Sequence, residues 1–282
     1  MRAVVFVPSV PDAAWVREAL PWLSPAELPL GGRRWIDCAV EWAAGRGYQM
    51  VEVVDWFWSD AVAADFSDLA AHPVPVFYQR GEGPLPETAD DLRRLSTPLS
   101  RDVGTPGVDL VWGYALEGLR IGGVRDWHAA NMALLEGTGP GGFPCTLPGY
   151  SAERGVHVGR NVVTEPGFDA KPPVLLCDDV WCARNVRLDG RCILGRGTFL
   201  DEGVRMRSSV VCPGTYLGPG LVLETKIAAG GRVFDAATGA WTDIEERGIA
   251  RRLGGGWQRP KWLRDALRFV AGRVSPRNRD FR

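Results

Sequence analysis

Residues 174–206 read VLLCDDVWCARNVRLDGRCILGRGTFLDEGVRM, and the spacing of their apolar positions decides the fold. Steps of six from Val158 give Val158, Thr164, Ala170, Leu176, Cys182, Leu188, Leu194, Leu200, Met206 and Cys212. The fifth position of the same units gives Val162, Phe168, Val174, Val180, Val186, Cys192, Thr198, Val204, Val210 and Tyr216. Nearly all are apolar or small. The frame then shifts by one residue and resumes as Leu217, Leu223 and Ala229, with Leu221, Ile227 and Val233 at the fifth position. Between these positions stand mostly Gly, Asp, Arg, Asn and Pro. Gly159, Gly195 and Gly218 follow position one directly, where the pattern predicts a tight turn.

A period of six matches neither a helix at about 3.6 nor a lone strand at about two. It matches a solenoid with a triangular coil, one hexad to each flat side, whose stacked coils bury a continuous apolar column. Residues 158–234 supply roughly four coils. The pattern resembles the hexapeptide-repeat left-handed β-helix family; a sandwich of short strands is the alternative. Cys182, Cys192 and Cys212 fall at inward positions, where Cys acts as a small hydrophobe. The six Cys show no paired metal spacing, so neither a zinc site nor a disulfide framework is expected, and a reducing cytoplasm suits them.

The N-terminal half alternates strands and helices. Apolar runs at Ala3–Val7, Val51–Val54, Val74–Tyr78 and Leu110–Ala115 read as strands. Trp35–Ala44 has helical spacing and stops near Gly45 to Gly47. Residues 81–106 read as loop with a short helix near Asp90–Leu95. This alternation implies a largely parallel sheet. The opening MRAVVFVP is too short for a signal-peptide core and no run is long enough to span a membrane.

Two segments resemble sugar-phosphate nucleotidyltransferases. Leu28-Pro29-Leu30-Gly31-Gly32-Arg33-Arg34-Trp35-Ile36-Asp37 is similar to that family's L-P-V-G-G-K-P-L-I-D turn. Gly118-Leu119-Arg120-Ile121-Gly122-Gly123, Trp127 and Ala130-Asn131-Met132-Ala133-Leu134-Leu135-Glu136-Gly137 resemble its closing strand and helix. A β-helix after this segment is the family's own order. The expected fold is therefore α/β: a truncated nucleotidyltransferase-like, Rossmann-like domain over residues 1–149, then a left-handed parallel β-helix over 150–240. A basic tail with an amphipathic helix completes the chain over 241–282.

The residues that the family uses for chemistry are largely missing. A triphosphate needs a glycine-rich loop, an opposing cation and carboxylates for Mg²⁺. After the first strand stands Val7-Pro8-Ser9-Val10-Pro11-Asp12-Ala13-Ala14-Trp15, and no Gly precedes Gly31. No Lys precedes Lys171. The second metal carboxylate of the family falls at Arg120, and the first would be Asp55. No catalytic residue, metal ligand or cofactor is therefore expected, with Mg²⁺ required only if an altered site is active. Asp55, Trp56 and Trp58 form a vestigial ligand crevice, where the rings stack on a nucleotide or sugar or else fill a core. Of His72, His128 and His157, only His157 belongs to the repeat, and it precedes the first full unit. An acyltransferase using it is a further alternative.

The charge is uneven. The whole chain carries −1, yet from Arg247 onward ten Arg and Lys261 face only Asp265 and Asp280, a net of +9. Lys261, Arg264, Arg268 and Arg273 line one side of an apolar stripe. They point to an acidic protein partner or an anionic membrane surface, or to a helix packed on the body. An acidic body argues against nucleic acid. The leading expectation is a cytoplasmic homo-oligomer, peripheral to the membrane if the tail docks there. Its expected role is that of a catalytically inactive scaffold or regulator in polysaccharide or sugar-nucleotide metabolism. The alternatives are an active sugar-1-phosphate nucleotidyltransferase and a hexapeptide-repeat acyltransferase.

Overall fold

The computed structural model describes residues 2–8, 13–57, 59–66, 73–93, 102–103, 105–116, 119–137, 151–153 and 155–253. Residues 1–252 make one compact unit and 253–282 a second; all the elements below belong to the first. No helix among the described residues is long and apolar enough to cross a membrane.

Four parallel strands form the N-terminal sheet: β1 (Ala3–Val7), β2 (Met50–Asp55), β3 (Val76–Arg80) and β4 (Val108–Trp112), in the order β3-β2-β1-β4. All five residues of β1 are buried, as expected for a central parallel strand covered on both faces. Helices α1 (Ala14–Ala19), α2 (Trp35–Gly45), α3 (Asp60–Phe66), α4 (Ala89–Arg93) and α5 (Val124–Leu135) complete the module. The two family-like segments meet. Fully buried Asn131 of α5 accepts from Gly31 N at 2.8 Å and donates to Trp127 O at 2.9 Å, and Trp127 Nε1 donates to Pro29 O at 2.6 Å. Gly31 has φ 57°, and a Cβ there would sit 3.3 Å from Leu134. These residues clamp a hairpin, Pro29–Leu30 against Arg33–Arg34, to the closing helix.

The C-terminal half is a parallel β-helix with three sheets. One stacks Val156–Val158, Val174–Leu176, Cys192–Leu194, Val210–Val211 and Lys226–Ala229; a second stacks Val163–Thr164, Trp181–Cys182, Phe199–Leu200 and Thr215–Leu217. The third stacks Asp169–Lys171, Arg187–Asp189, Arg205–Arg207 and Val222–Glu224. Antiparallel strands close the stack: Ser151–Glu153 at one end, and Arg232–Asp235, Trp241–Asp243 and Ala250–Arg252 at the other. The inward column runs through Val174, Leu176, Cys182, Leu188, Cys192, Leu194, Leu200 and Met206 to Val211, Leu217, Leu223 and Ala228. Inward polar residues bond to backbone: Thr198 Oγ1 to Gly195 O at 2.6 Å, and Ser209 Oγ to Arg207 O at 2.7 Å.

The hexad frame breaks earlier than the sequence pattern suggests, and twice. Val174 pairs with Cys192, Trp181 with Phe199 and Arg187 with Arg205, eighteen residues apart. Leu194 then pairs with Val211, Phe199 with Tyr216 and Met206 with Leu223, seventeen apart. One residue is lost at the corner after Met206 and another at the corner after Leu223. Ser208 and Thr225 make those corners with φ of 46° and 53°. Val211 and Ala228 therefore point inward, while Cys212, Val210, Ile227 and Ala229 pack outward, and Tyr216 stacks outward on Phe199 at 5.6 Å.

The glycine reading also changes. Gly159, Gly195 and Gly218 lie outside the left-handed region. Gly195 and Gly218 are required by proximity: a Cβ would fall 2.6 Å from Pro213 N and 2.0 Å from Gly248 O. The left-handed turn sits three residues after position one, at Asn161, Gly167, Asp179, Asn185, Gly197, Gly203, Gly214 and Gly220. Asn, Asp and Gly, the residues that tolerate positive φ, occupy these corners of the first two sides, whereas the third side turns at Arg191, Ser208 and Thr225, also at positive φ.

One sheet of the β-helix is buried on both sides. Its outward residues Leu175, Cys177, Ile193, Val210, Ile227 and Phe234 belong to the same apolar cluster as the α/β module. A run of rings crosses the seam: Trp35–Tyr114 at 5.3 Å, Trp15–Trp127 at 5.9 Å and Trp127–Phe234 at 5.9 Å. His128 of α5 is buried here, its Nε2 2.7 Å from Ser208 O at the first shortened corner.

Candidate functional site

In an open parallel sheet, ligands bind beyond the carboxyl ends of the strands, at the point where strand order reverses. Here that point lies between β1 and β4, and side chains fill it. Trp15, Trp35 and Tyr114 stack edge to face, with Trp15 and Tyr114 at 6.5 Å. Tyr114 is buried and donates to Pro25 O at 2.7 Å. The open ground lies one step along the sheet, beyond β2 and β3.

Asp55 ends β2 and is completely buried. Its Oδ1 accepts from Phe57 N at 2.9 Å. Its Oδ2 accepts from the Ser24 hydroxyl and from the Tyr78 hydroxyl, the latter at 3.0 Å. Ser24 in turn caps the short 3₁₀ turn Pro25–Glu27, accepting from Ala26 N at 3.2 Å while its own N–H donates to Glu27 Oε2 at 3.2 Å. Burial, reinforced by the adjacent Asp55 charge, pushes the Tyr78 and Tyr114 phenols well above their ordinary range, so both remain hydrogen-bond donors. The carboxylate thus ties the turn at residues 20–24 to the ends of β2 and β3. Offering it to a cation would mean breaking these bonds, each worth about 1.5–3 kcal/mol to a charged group. Among the described residues no three His, Cys, Asp or Glu side chains come together as metal ligands. Arg120 is exposed on a short hairpin.

Beside Asp55 lies a shallow cavity of about 330 Å³. Trp22, Trp56 and Phe57 wall it, and Arg17 and Arg80 supply two cations with no acidic residue in the lining. The Arg17 guanidinium sits 3.6 Å over the Phe57 ring. Its Nε is buried without a hydrogen-bond partner, and neither Arg17 nor Arg80 has a carboxylate partner among the described residues. Trp56 donates to Gly83 O at 3.0 Å, and its ring covers Gly81 so closely that a Cβ there would fall 2.2 Å away. Trp58 lies outside the described residues, as do His72, Lys261, Arg264, Arg268 and Arg273. Asp55 and Trp56 were legible in the sequence; Arg17, Trp22 and Arg80 were not. Arg80 carried a signal, as the first charge after the β3 run; Arg17 and Trp22 arrive from α1 and its following turn, which no local pattern announces.

His157 occupies the outward middle position of Val156–Val158, in register with Leu175 on the sheet that faces the α/β module. It is half-buried, and its side chain makes no hydrogen bond among the described residues.

No protein-family model and no curated protein matches the chain. Among solved structures it is similar to the acetyltransferase domain of PglB from Neisseria gonorrhoeae FA1090, at 13% identity over 82% of this chain and 97% of that one, with a TM-score of 0.20. The same domain in complex with acetyl coenzyme A gives 14% identity over 81% and 96%, with a TM-score of 0.17. At such scores the likeness transfers no residue and no activity.

Proposed function

We propose that this protein is a non-catalytic binding protein whose strand-end crevice holds a phosphorylated small molecule. The carrying observation is the contrast within that crevice. The carboxylate beside it, Asp55, has both oxygens engaged, while Arg17 and Arg80 have no acidic partner among the described residues and stand among aromatic walls. Guanidinium groups suit phosphate, and ring faces suit a base or sugar. The nucleotidyltransferase resemblance of the 28–37 and 118–137 segments supports a sugar nucleotide or sugar phosphate as the ligand. It equally supports a scaffold or regulatory role in sugar-nucleotide or polysaccharide metabolism, with a left-handed coil. The same reading includes a homo-oligomer, and a tail that meets an acidic partner or anionic surface through Lys261, Arg264, Arg268 and Arg273.

Calorimetric titration with uridine diphosphate and with glucose 1-phosphate tests the crevice. Saturable binding should weaken at least about tenfold in Arg17→Ala and Arg80→Ala, with no pyrophosphate released from any nucleoside triphosphate and sugar phosphate with Mg²⁺. Turnover abolished by Asp55→Ala would replace this reading with the active nucleotidyltransferase.

A second reading, a hexapeptide-repeat acyltransferase, is favoured by one observation: His157 stands on a β-helix face without a described partner. Acetyl transfer from acetyl coenzyme A to an amino sugar, lost in His157→Ala with the fold intact, would establish it.

A further inference from the structure

A second cavity, of about 490 Å³, lies at the seam between the Pro29–Arg34 hairpin and the β-helix corners near Arg196, Pro213 and Gly230. Its size is that of a small-molecule site, and module boundaries are where such sites concentrate. Its lining has two unlike parts. Leu20, Trp22, Leu23, Pro29, Cys212 and Ala229 present an apolar wall. Arg33, Arg34, Arg196 and Arg252 line the polar part together with Glu27 and Asp37, and the arginines differ in how far they are committed.

Arg33 bonds Glu41 through both terminal nitrogens, Nη1 at 2.8 Å and Nη2 at 2.5 Å. Arg34 bonds Asp37 through Nε at 2.9 Å and Nη2 at 2.7 Å. These two hold the hairpin to the first turn and the middle of α2. Arg196 reaches Asp179 only through Nε, at 3.3 Å, and its side chain is 72% exposed. Arg252 has no carboxylate partner among the described residues; its guanidinium lies 5.8 Å from the Trp22 ring. The cavity also contains Glu27, with one oxygen held by Ser24 N. Asp37, also in the lining, is taken up by Arg34, so two guanidinium heads, Arg196 and Arg252, remain available beside the apolar wall.

We propose that this seam cavity binds an amphiphilic anion: a phosphate monoester whose head sits between Arg196 and Arg252 and whose short hydrocarbon body lies along Trp22, Leu23, Cys212 and Ala229. A planar guanidinium pair matches phosphate oxygens, and the apolar wall takes the hydrocarbon body out of water. Inorganic phosphate satisfies only the head and an alcohol only the body. This site shares Trp22 and Leu23 with the crevice but none of its arginines, so it stands or falls separately from the function proposed above.

The test uses the full chain and three probes in calorimetry: hexyl phosphate, inorganic phosphate and 1-hexanol. Hexyl phosphate should bind saturably and at least about tenfold more tightly than either half-probe. The Arg196→Ala/Arg252→Ala double variant should weaken it about tenfold or more, and Ala229→Phe, which fills the chamber, should do likewise. Arg17→Ala/Arg80→Ala should leave hexyl phosphate binding unchanged. Melting curves check that each variant is folded, and the double variant alters only solvent-facing side chains, so it carries the test even if Ala229→Phe unfolds. No saturable heat with hexyl phosphate, equal affinity for inorganic phosphate, or an unaltered affinity in the double variant would overturn the proposal.

Discussion

Ile193 is the outward residue of its strand, flanked by the inward Cys192 and Leu194. On an isolated solenoid such a position is solvated and tolerant. Here it is 1% exposed, because the α/β module covers that sheet. Ile193→Ala removes three carbon atoms from a closed interior. At about 0.8 kcal/mol for each carbon the transfer loss is about 2.4 kcal/mol. The unfilled space adds to it, giving roughly 3–4 kcal/mol, within the range for core truncations. For a unit of this size, about 2–4 °C of melting temperature accompanies each kcal/mol, so a fall of roughly 6–16 °C is expected. Arg205→Ala, also outward but on the uncovered third sheet and exposed, should cost under about 0.5 kcal/mol. Paired thermal and urea unfolding of the two variants decides the matter, provided the urea slope is unchanged. Equal costs would mean that the module does not cover the β-helix as described.

Gly195→Ala should destabilise by about 1–3 kcal/mol through overpacking against Pro213, whereas Gly45→Ala, with nothing within 4 Å of the added methyl, should be neutral or stabilising in the same melts. Asp55→Asn should cost about 1–3 kcal/mol because the Ser24 and Tyr78 donors lose a charged acceptor; an unchanged melting temperature would remove the structural role given to Asp55. Burial raises the Cys38, Cys182 and Cys192 thiols from 9.0 to about 12. The neutral form is thus favoured in the folded state, and stability present below pH 9 should be lost progressively as pH rises toward 12. Native protein at pH 8 should leave these three unmodified by iodoacetamide, read by mass spectrometry; rapid labelling would refute their burial. Removing residues 254–282, a cut placed beyond the Ala250–Arg252 strand, should abolish salt-sensitive co-sedimentation with anionic vesicles, and retention of that binding would discard the tail as its source.

The β-helix was legible because a repeated environment writes a repeated sequence: inward Leu176, Leu188, Leu194 and Leu200 recur at a fixed step. The shortened corners escaped because Cys212, Val210 and Ile227 are as apolar as the inward residues they displaced, their outward side being buried by another module. Apolar identity reports burial but not which wall does the burying. The corner code was nonetheless present, in the run Asn161, Gly167, Asp179, Asn185, Gly197, Gly203, Gly214 and Gly220, and it fixes the frame independently of hydrophobicity. The four strands of the α/β sheet were legible from their apolar runs. The crevice was only half legible, since Arg17, Trp22, Asp55 and Arg80 come from separated segments, and Ser24, which orients Asp55, gives no signal beyond its role as a helix cap.

The shared interior has a consequence for how this chain is made. Translation delivers the α/β half first, at roughly 5–20 residues per second. That half emerges without Leu175, Ile193, Val210, Ile227 and Phe234, which close its interior. Until the last coils leave the ribosome, Trp127 and its neighbours face water instead of Phe234. The nascent chain therefore spends several seconds with an aromatic surface uncovered, a natural target for a chaperone, and final closure waits for the C-terminal coils.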